Sequence, residues 1–491
     1  MKSLSIKIAI LFCLAANSLV AQVPMETWQS YMTYNNTTMI EETPERIFAV
    51  SGGSLFSIGK EDHDIQTYTK ANGLNGANVV QIKYDESTKQ LIIIYSDGNI
   101  DLMSGSGIVN VPDFYLKQMS AEKIVNHVMC YNGNAYLSTN FGILVLNLKK
   151  AEISDTYYMG ANSSNVKVLG ADIFNGKIYA CSADYIYSAD LNSNLVDFGH
   201  WTASADYAGT GAFQSLACSG DYLFILRGVD VYRKSNATGS DWQLLEEGIS
   251  KMKRVGSKIY VFWTADVGIF QQNMDFAIKH SPSGVKINDF IEIGGLSLYA
   301  FEKEGVAFEK GNEVSYFKPE GPLFTSAYCL QFSNNKLYVV HSGTNFNSIN
   351  YDAGISILDN RGWKFILPQD ISAISQKPLA NLLNIAFDPN DFSHFFVTSH
   401  GTGLYEFRND EFIKHYTHSN SPLEYNAAVS ESAGDYYTQL NGIAFDKQSN
   451  LTVINCGVNA SVKILFNNGS WKSVQYPNAL TYPSGAIGVN S

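Results

Sequence analysis

One phrase recurs along this chain and constrains its fold more than any other feature. Its clearest copy is Asn175-Gly176-Lys177-Ile178-Tyr179-Ala180-Cys181, followed by Tyr185-Ile186-Tyr187-Ser188. In order, it is a tight polar turn, a short strand with an aromatic in its middle, a gap and a second short strand. Further copies stand at Arg46–Val50, Gln90–Ile94, Asn134–Ser138, Asp221–Ile225, Lys258–Phe262, Leu298–Phe301, Lys336–Val340, Phe395–Thr398 and Leu451–Ile454.

The spacing carries the argument. From Phe48 through Ile92, Tyr136, Tyr179, Phe224, Tyr260 and Tyr299 to Tyr338, the steps are 44, 44, 43, 45, 36, 39 and 39 residues. A period of about 40 residues holding about four short strands is the signature of a β-propeller. A helical solenoid shares the period but not the strand chemistry or the Asn-Gly turns. The turn dipeptides Asn132-Gly133, Asn175-Gly176 and Asp97-Gly98 supply the positive φ that tight hairpins need. Each core strand is followed by a glycine-plus-apolar phrase, as in Phe141-Gly142-Ile143, Val267-Gly268-Ile269 and Gly305-Val306-Ala307. There the glycine admits a close turn or bulge.

Seven core phrases fall before Lys318-Pro319-Glu320-Gly321-Pro322, the strongest local punctuation in the chain. Beyond it the steps lengthen to 58 and 56 residues (Tyr338 to Phe396 to Thr452), and glycine-tryptophan phrases enter at Gly362-Trp363 and Gly469-Ser470-Trp471. The expected fold is all-β: a seven-bladed β-propeller over residues 22–318, then an incomplete second β-propeller of about three blades over 319–491. Three blades do not close a ring, so the chain reads as a truncated product.

Residues 1–21 read as a signal peptide. Lys2 and Lys7 form its charged start, and the apolar run Ile8–Ala16 is too short to span a bilayer. No later stretch reads as a transmembrane segment. Without residues 1–21 the net charge is near −14, which argues against a nucleic-acid partner. The five remaining cysteines (Cys130, Cys181, Cys218, Cys329 and Cys456) are odd in number and lie mostly in apolar strand runs. They read as buried free thiols rather than bridges or metal ligands.

Catalytic chemistry is sparse: there is no G-x-S-x-G, H-E-x-x-H or P-loop, and no cofactor or metal is expected. His415 and His418 stand three apart on a strand-like stretch and point to opposite faces. Asp97, Asn99 and Asp101 loosely resemble a calcium loop but lack its further ligands. Two features bear on ligand binding. Lys251, Lys253 and Arg254 form the one notable basic cluster, although such clusters are most often solvated loops. Trp263, with Trp201, Trp242, Trp363 and Trp471, stands near expected loop or strand edges, where an indole stacks on a sugar face or simply packs between blades.

Two phrases, Tyr68-Thr69-Lys70-Ala71-Asn72-Gly73-Leu74 and Tyr416-Thr417-His418-Ser419-Asn420-Ser421-Pro422-Leu423, share a Tyr-Thr-x-x-Asn…Leu pattern. With Gly401-Thr402-Gly403-Leu404-Tyr405-Glu406-Phe407 they resemble the two-component regulator propeller repeat of Bacteroidetes. A wider set comprises Trp28…Tyr31, Tyr95-Ser96-Asp97-Gly98-Asn99-Ile100-Asp101-Leu102, Ala135–Ile143 and Gly321-Pro322. In order and spacing this set resembles the PorZ family, the propeller proteins of the type IX secretion system. That resemblance implies two seven-bladed propellers and a C-terminal sorting domain, of which this chain reaches only part. It implies an exported, non-catalytic protein on the outer-membrane surface, in an attachment complex with the sortase PorU, PorV and PorQ, that binds anionic lipopolysaccharide and presents it to the sortase. A periplasmic carbohydrate sensor of a hybrid two-component system is the alternative.

Overall fold

The computed structural model describes residues 29–237, 240–271, 275–324, 326–341, 353–375, 379–425 and 438–475. The expected signal peptide lies outside the described residues. Residues Tyr34–Pro319 form one compact unit, and the described residues before and after them form a second. The first block was expected from residue 22, yet residues 29–33 belong to the second unit. There the Thr33 hydroxyl donates to the Leu323 carbonyl at 3.2 Å, and Tyr31 meets Trp363 edge-on at 5.5 Å.

The first unit holds seven four-stranded antiparallel sheets, each built from consecutive strands. The recurring phrase supplies the second strand of every sheet, from Arg46–Ser51 and Gln90–Tyr95 through to Leu296–Phe301. These strands are apolar on both faces because both faces are buried. In Gln90–Tyr95, Ile92 and Ile94 enter a core shared with the third sheet, while Leu91, Ile93 and Tyr95 enter one shared with the first. A period of two thus distributes one continuous apolar run between two neighbours.

The same arrangement repeats around the unit, and the last core joins the first sheet to the seventh: Ile40, Ile47, Phe56 and Ile58 pack with Ile291, Leu298, Val306 and Phe308. Seven sheets and seven shared cores make a closed propeller ring. Burial of each such side chain contributes roughly 1.5–3 kcal/mol.

Local chemistry sets the hairpins. Asn132 and Gly133, like Asn175 and Gly176, all have positive φ, the requirement of a two-residue turn that matches strand twist. Gly142, Gly305 and Gly403 each open the third strand of a sheet. A Cβ at these positions would stand 2.2 Å from the Tyr157 carbonyl, 2.8 Å from that of Phe317 and 2.3 Å from that of Tyr416, respectively. Each of those carbonyls ends a fourth strand. The glycine-plus-apolar phrase therefore marks the place where two strands cross too closely for a side chain.

The second unit holds three strand groups of the same kind. The first runs from Ala327–Ser333 to Gly362–Ile366. The other two, Leu382–Asp388 to Glu411–Tyr416 and Thr438–Phe445 to Trp471–Val474, are joined into one eight-stranded sheet by pairing of His400 with Gln439 and Gly401 with Thr438.

Candidate functional site

In the first unit the opening strand of each sheet lines the centre of the ring. These strands enclose a cavity of about 480 Å3, to which they contribute Met39, Lys83, Cys130, Asp172, Ala217, Lys253 and Asp289, one from each of the seven sheets. A first strand stands at the inner rim of its sheet, where the side chains on its two faces meet either a core shared with a neighbouring sheet or this central space. That is why charged residues interrupt otherwise apolar strands here.

The basic cluster lies in this cavity. Lys251, Lys253 and Arg254 belong to the strand Lys251–Val255 rather than to a solvated loop. Asp289 of the seventh sheet holds both lysines: Lys251 Nζ at 3.2 Å and Lys253 Nζ at 2.7 Å. Lys251 also donates to the Asn288 carbonyl at 2.8 Å and Lys253 to the Ile40 carbonyl at 3.3 Å. Arg254 reaches past the fifth sheet to Asp172 of the fourth in a two-point contact, Nε to Oδ2 at 2.9 Å and Nη2 to Oδ1 at 3.0 Å. The fork geometry of guanidinium suits such a pairing. Across the cavity, Lys83 Nζ meets Glu41 Oε1 at 2.6 Å.

The acids do a second task. Glu41 accepts from the Tyr84 backbone N–H at 3.1 Å, Asp172 from that of Cys218 at 2.8 Å and Asp289 from that of Ile40 at 3.0 Å. Each bond ties one inner strand to the next around the ring. Because the acids are built into the wall, they are the buried partners. Asp289 is 1% exposed against 39% for Lys251 and 17% for Lys253, Asp172 is 7% against 36% for Arg254, and Glu41 is 10% against 29% for Lys83. In these pairs the cations stand in front and the carboxylates behind, while Asp85 and Glu86 also line the cavity.

Burial and pairing set the proton affinities. Burial raises that of Asp289, but Lys251 and Lys253 outweigh it and hold the carboxyl below its ordinary range. For Lys83, burial is outweighed by Glu41, and its ammonium is held above the ordinary value. Burial draws Lys251 down, and the neighbouring charge of Lys253 adds to this against the pull of Asp289. Asp172 is pushed up by burial in spite of Arg254. His127, on the third sheet, is pushed down to about 4 by burial and then by Lys83 and Arg254. It is a neutral imidazole whose buried Nδ1 has no hydrogen-bond partner among the described residues. Cys130 is pushed up to about 12 by burial, so its thiol is unreactive at neutral pH.

Trp263 lies outside this cavity. It follows the second strand of the sixth sheet, packs beside the Leu226–Val261 core and donates Nε1–H to the Glu247 carbonyl at 3.1 Å. Asp101 is consumed by structure, accepting from Tyr95 Oη at 2.5 Å, from the backbone and side chain of Asn75, and from Asn110. His415 is buried and stacked on Tyr405 at 4.3 Å. Sequence reading missed Lys83, His127, Asp172 and Asp289. Their signal is a titratable residue inside the apolar strand one hairpin before each core phrase.

Residues 47–202 match the family described as "TSS9, PorZ, N-terminal beta-propeller domain". No curated protein matches the chain in sequence. Among solved structures, PorZ of the type IX secretion system of Porphyromonas gingivalis superposes with a TM-score of 0.81 at 22% identity. That match covers 92% of this chain and 60% of the PorZ chain, so the present chain spans less than two thirds of its relative's length. The extracellular domain of a putative hybrid two-component system from B. thetaiotaomicron matches at 12% identity with a TM-score of 0.46, covering 90% and 65% of the two chains. Among the described residues no helix is long and apolar enough to cross a membrane. This is a β-propeller chain with the fold of PorZ, and its residues 47–202 match the model of the PorZ N-terminal propeller domain.

Proposed function

We propose that this chain acts as a non-catalytic component of the type IX secretion attachment complex at the outer-membrane surface. In this reading it binds anionic lipopolysaccharide and presents it to the sortase PorU, in company with PorV and PorQ. The observation that carries the reading is the match of residues 47–202 to the PorZ N-terminal propeller domain. The shared fold over most of the chain supports it. So does the physical character of the propeller: rigid sheets hold many loops in fixed relation around one ring, which suits a protein that brings partners together.

The test is isolation of the full gene product, tagged, from detergent-solubilised outer membrane. Co-isolation of the sortase, its two companions and anionic lipopolysaccharide is expected. Deletion of the gene is expected to leave secreted cargo without its lipopolysaccharide. Recovery of a soluble glycan with no secretion partner would overturn this reading in favour of a carbohydrate sensor.

A further inference from the structure

We propose that Asn132 and Asn175 are sites of spontaneous deamidation, at which the side-chain carboxamide is lost through a cyclic imide while the propeller stays folded. This chemistry goes beyond the secretion reading and does not depend on it.

In an Asn-Gly pair the glycine backbone nitrogen, once it has lost its proton, attacks the asparagine Cγ. A C–N bond forms, the Cγ–Nδ2 bond breaks and ammonia leaves with the proton. Water then opens the five-membered imide at either carbonyl, giving aspartate or isoaspartate. One water is taken up and one ammonia released, with no oxidant or reductant. Glycine favours ring closure because no Cβ shields its nitrogen and its backbone is the least restricted of any residue.

Six Asn-Gly pairs occur in the chain, and four are held. Asn72 accepts from the Thr69 backbone N–H and donates to the Thr67 carbonyl at 2.7 Å. Asn75 donates to Asp101 at 3.0 Å, and Gly76 lies under the Tyr95 ring, where a built Cβ would stand 2.4 Å from it. Asn441 accepts from the Asn384 amide at 3.1 Å. Asn468 accepts from the backbone N–H and the hydroxyl of Ser470 at 2.9 and 2.7 Å. Each of these carboxamides must give up its partner before its Cγ can meet the glycine nitrogen.

Asn132-Gly133 and Asn175-Gly176 differ. Both asparagines are exposed, and neither side chain has a hydrogen-bond partner among the described residues. A Cβ built at Gly176 would meet nothing within 4 Å, and one at Gly133 only the Thr88 methyl at 4.0 Å. Each pair is the two-residue tip between the first and second strands of its sheet: Val125–Tyr131 and Asn134–Thr139 in the third, Gly170–Phe174 and Lys177–Cys181 in the fourth. Ring closure needs the tight turn to open, and a hairpin tip opens at lower free energy than the core strands behind it. Either product puts a negative charge on the turn. Aspartate tolerates the positive φ there. Isoaspartate routes the main chain through an extra methylene, so a two-residue loop no longer matches the strand twist. The first strands so affected are those that bring Cys130 and Asp172 to the central cavity.

The experiment is prolonged incubation of the full chain at mildly alkaline pH, in buffer and in concentrated urea. Peptide mass spectrometry then separates asparagine, aspartate and isoaspartate at each of the six pairs. In buffer, conversion at positions 132 and 175 is expected to exceed that at 72, 75, 441 and 468 by at least ~tenfold, because the held pairs react only through larger openings. In urea the six are expected to converge to within about threefold, because the unfolded chain no longer holds any of them. Equal conversion at all six pairs in buffer overturns the proposal. So does survival of Asn132 and Asn175 in buffer when both convert in urea.

Discussion

The carboxylate of Asp289 accepts the backbone N–H of Ile40 at 3.0 Å, joining the seventh sheet of the ring to the first across 249 residues of sequence. The same carboxylate neutralises Lys251 and Lys253. One buried side chain therefore closes the ring and holds two cations in the wall of its cavity.

Substitution Asp289→Asn keeps an acceptor for Ile40 but strands two ammonium groups. A loss of about 3–5 kcal/mol in unfolding free energy is expected, measured by chemical denaturation of the full chain. Because the folded-state proton affinity of Asp289 is depressed, its contribution is present above the ordinary carboxylate value and is lost as pH falls through the depressed one. The variant should lack that part of the acid limb.

His127 gives the opposite chemistry at a higher pH. Its folded-state value of about 4 lies below the ordinary 6.5, so the unfolded chain binds the extra proton between them. Stability should be full above pH 6.5 and fall by up to ~3 kcal/mol as pH drops toward 4. In His127→Gln this part of the profile should flatten; His341 of the second unit, also pushed to about 4 by burial, would retain its own share. A thermal-melt series across this range, in which parent and His127→Gln coincide in slope, would refute the assignment.

Removal of the guanidinium in Arg254→Met leaves Asp172 buried against two backbone N–H groups. A loss of about 3 kcal/mol is expected at pH 7. Burial already raises Asp172, and loss of Arg254 raises it further, so protonation relieves the variant. The gap between parent and variant should narrow as pH falls toward the carboxylate range, which paired urea titrations at two pH values would read.

Two glycines separate space from backbone. Gly176 has φ of +74° and nothing within 4 Å of a built Cβ, whereas Gly142 has φ of +150° and the Tyr157 carbonyl 2.2 Å away. Gly176→Ala should cost about 1 kcal/mol, the left-handed penalty alone. Gly142→Ala should cost about 2–4 kcal/mol, because a strand end must move as well. Equal losses in denaturation would show that the close crossing does not decide the outcome.

The sequence alone determined the repeat and its local chemistry. The ten core phrases lie in second strands, because a strand buried on both faces must be apolar along its whole length, and a hairpin turn demands Asn-Gly. Both are short-range rules, legible in a window of a dozen residues, and together they identified an all-β propeller. The candidate site was only half legible. Lys251, Lys253 and Arg254 were visible as a cluster, but not as a strand turned inward, nor as the front of a wall whose back is Glu41, Asp172 and Asp289. Those partners lie 36, 38 and 82 residues away along the chain, or on the adjoining sheet, and only ring closure brings them together. Which first-strand residues face the cavity depends on how seven sheets are set around one axis, so tertiary structure, not local pattern, decided where the charge stands.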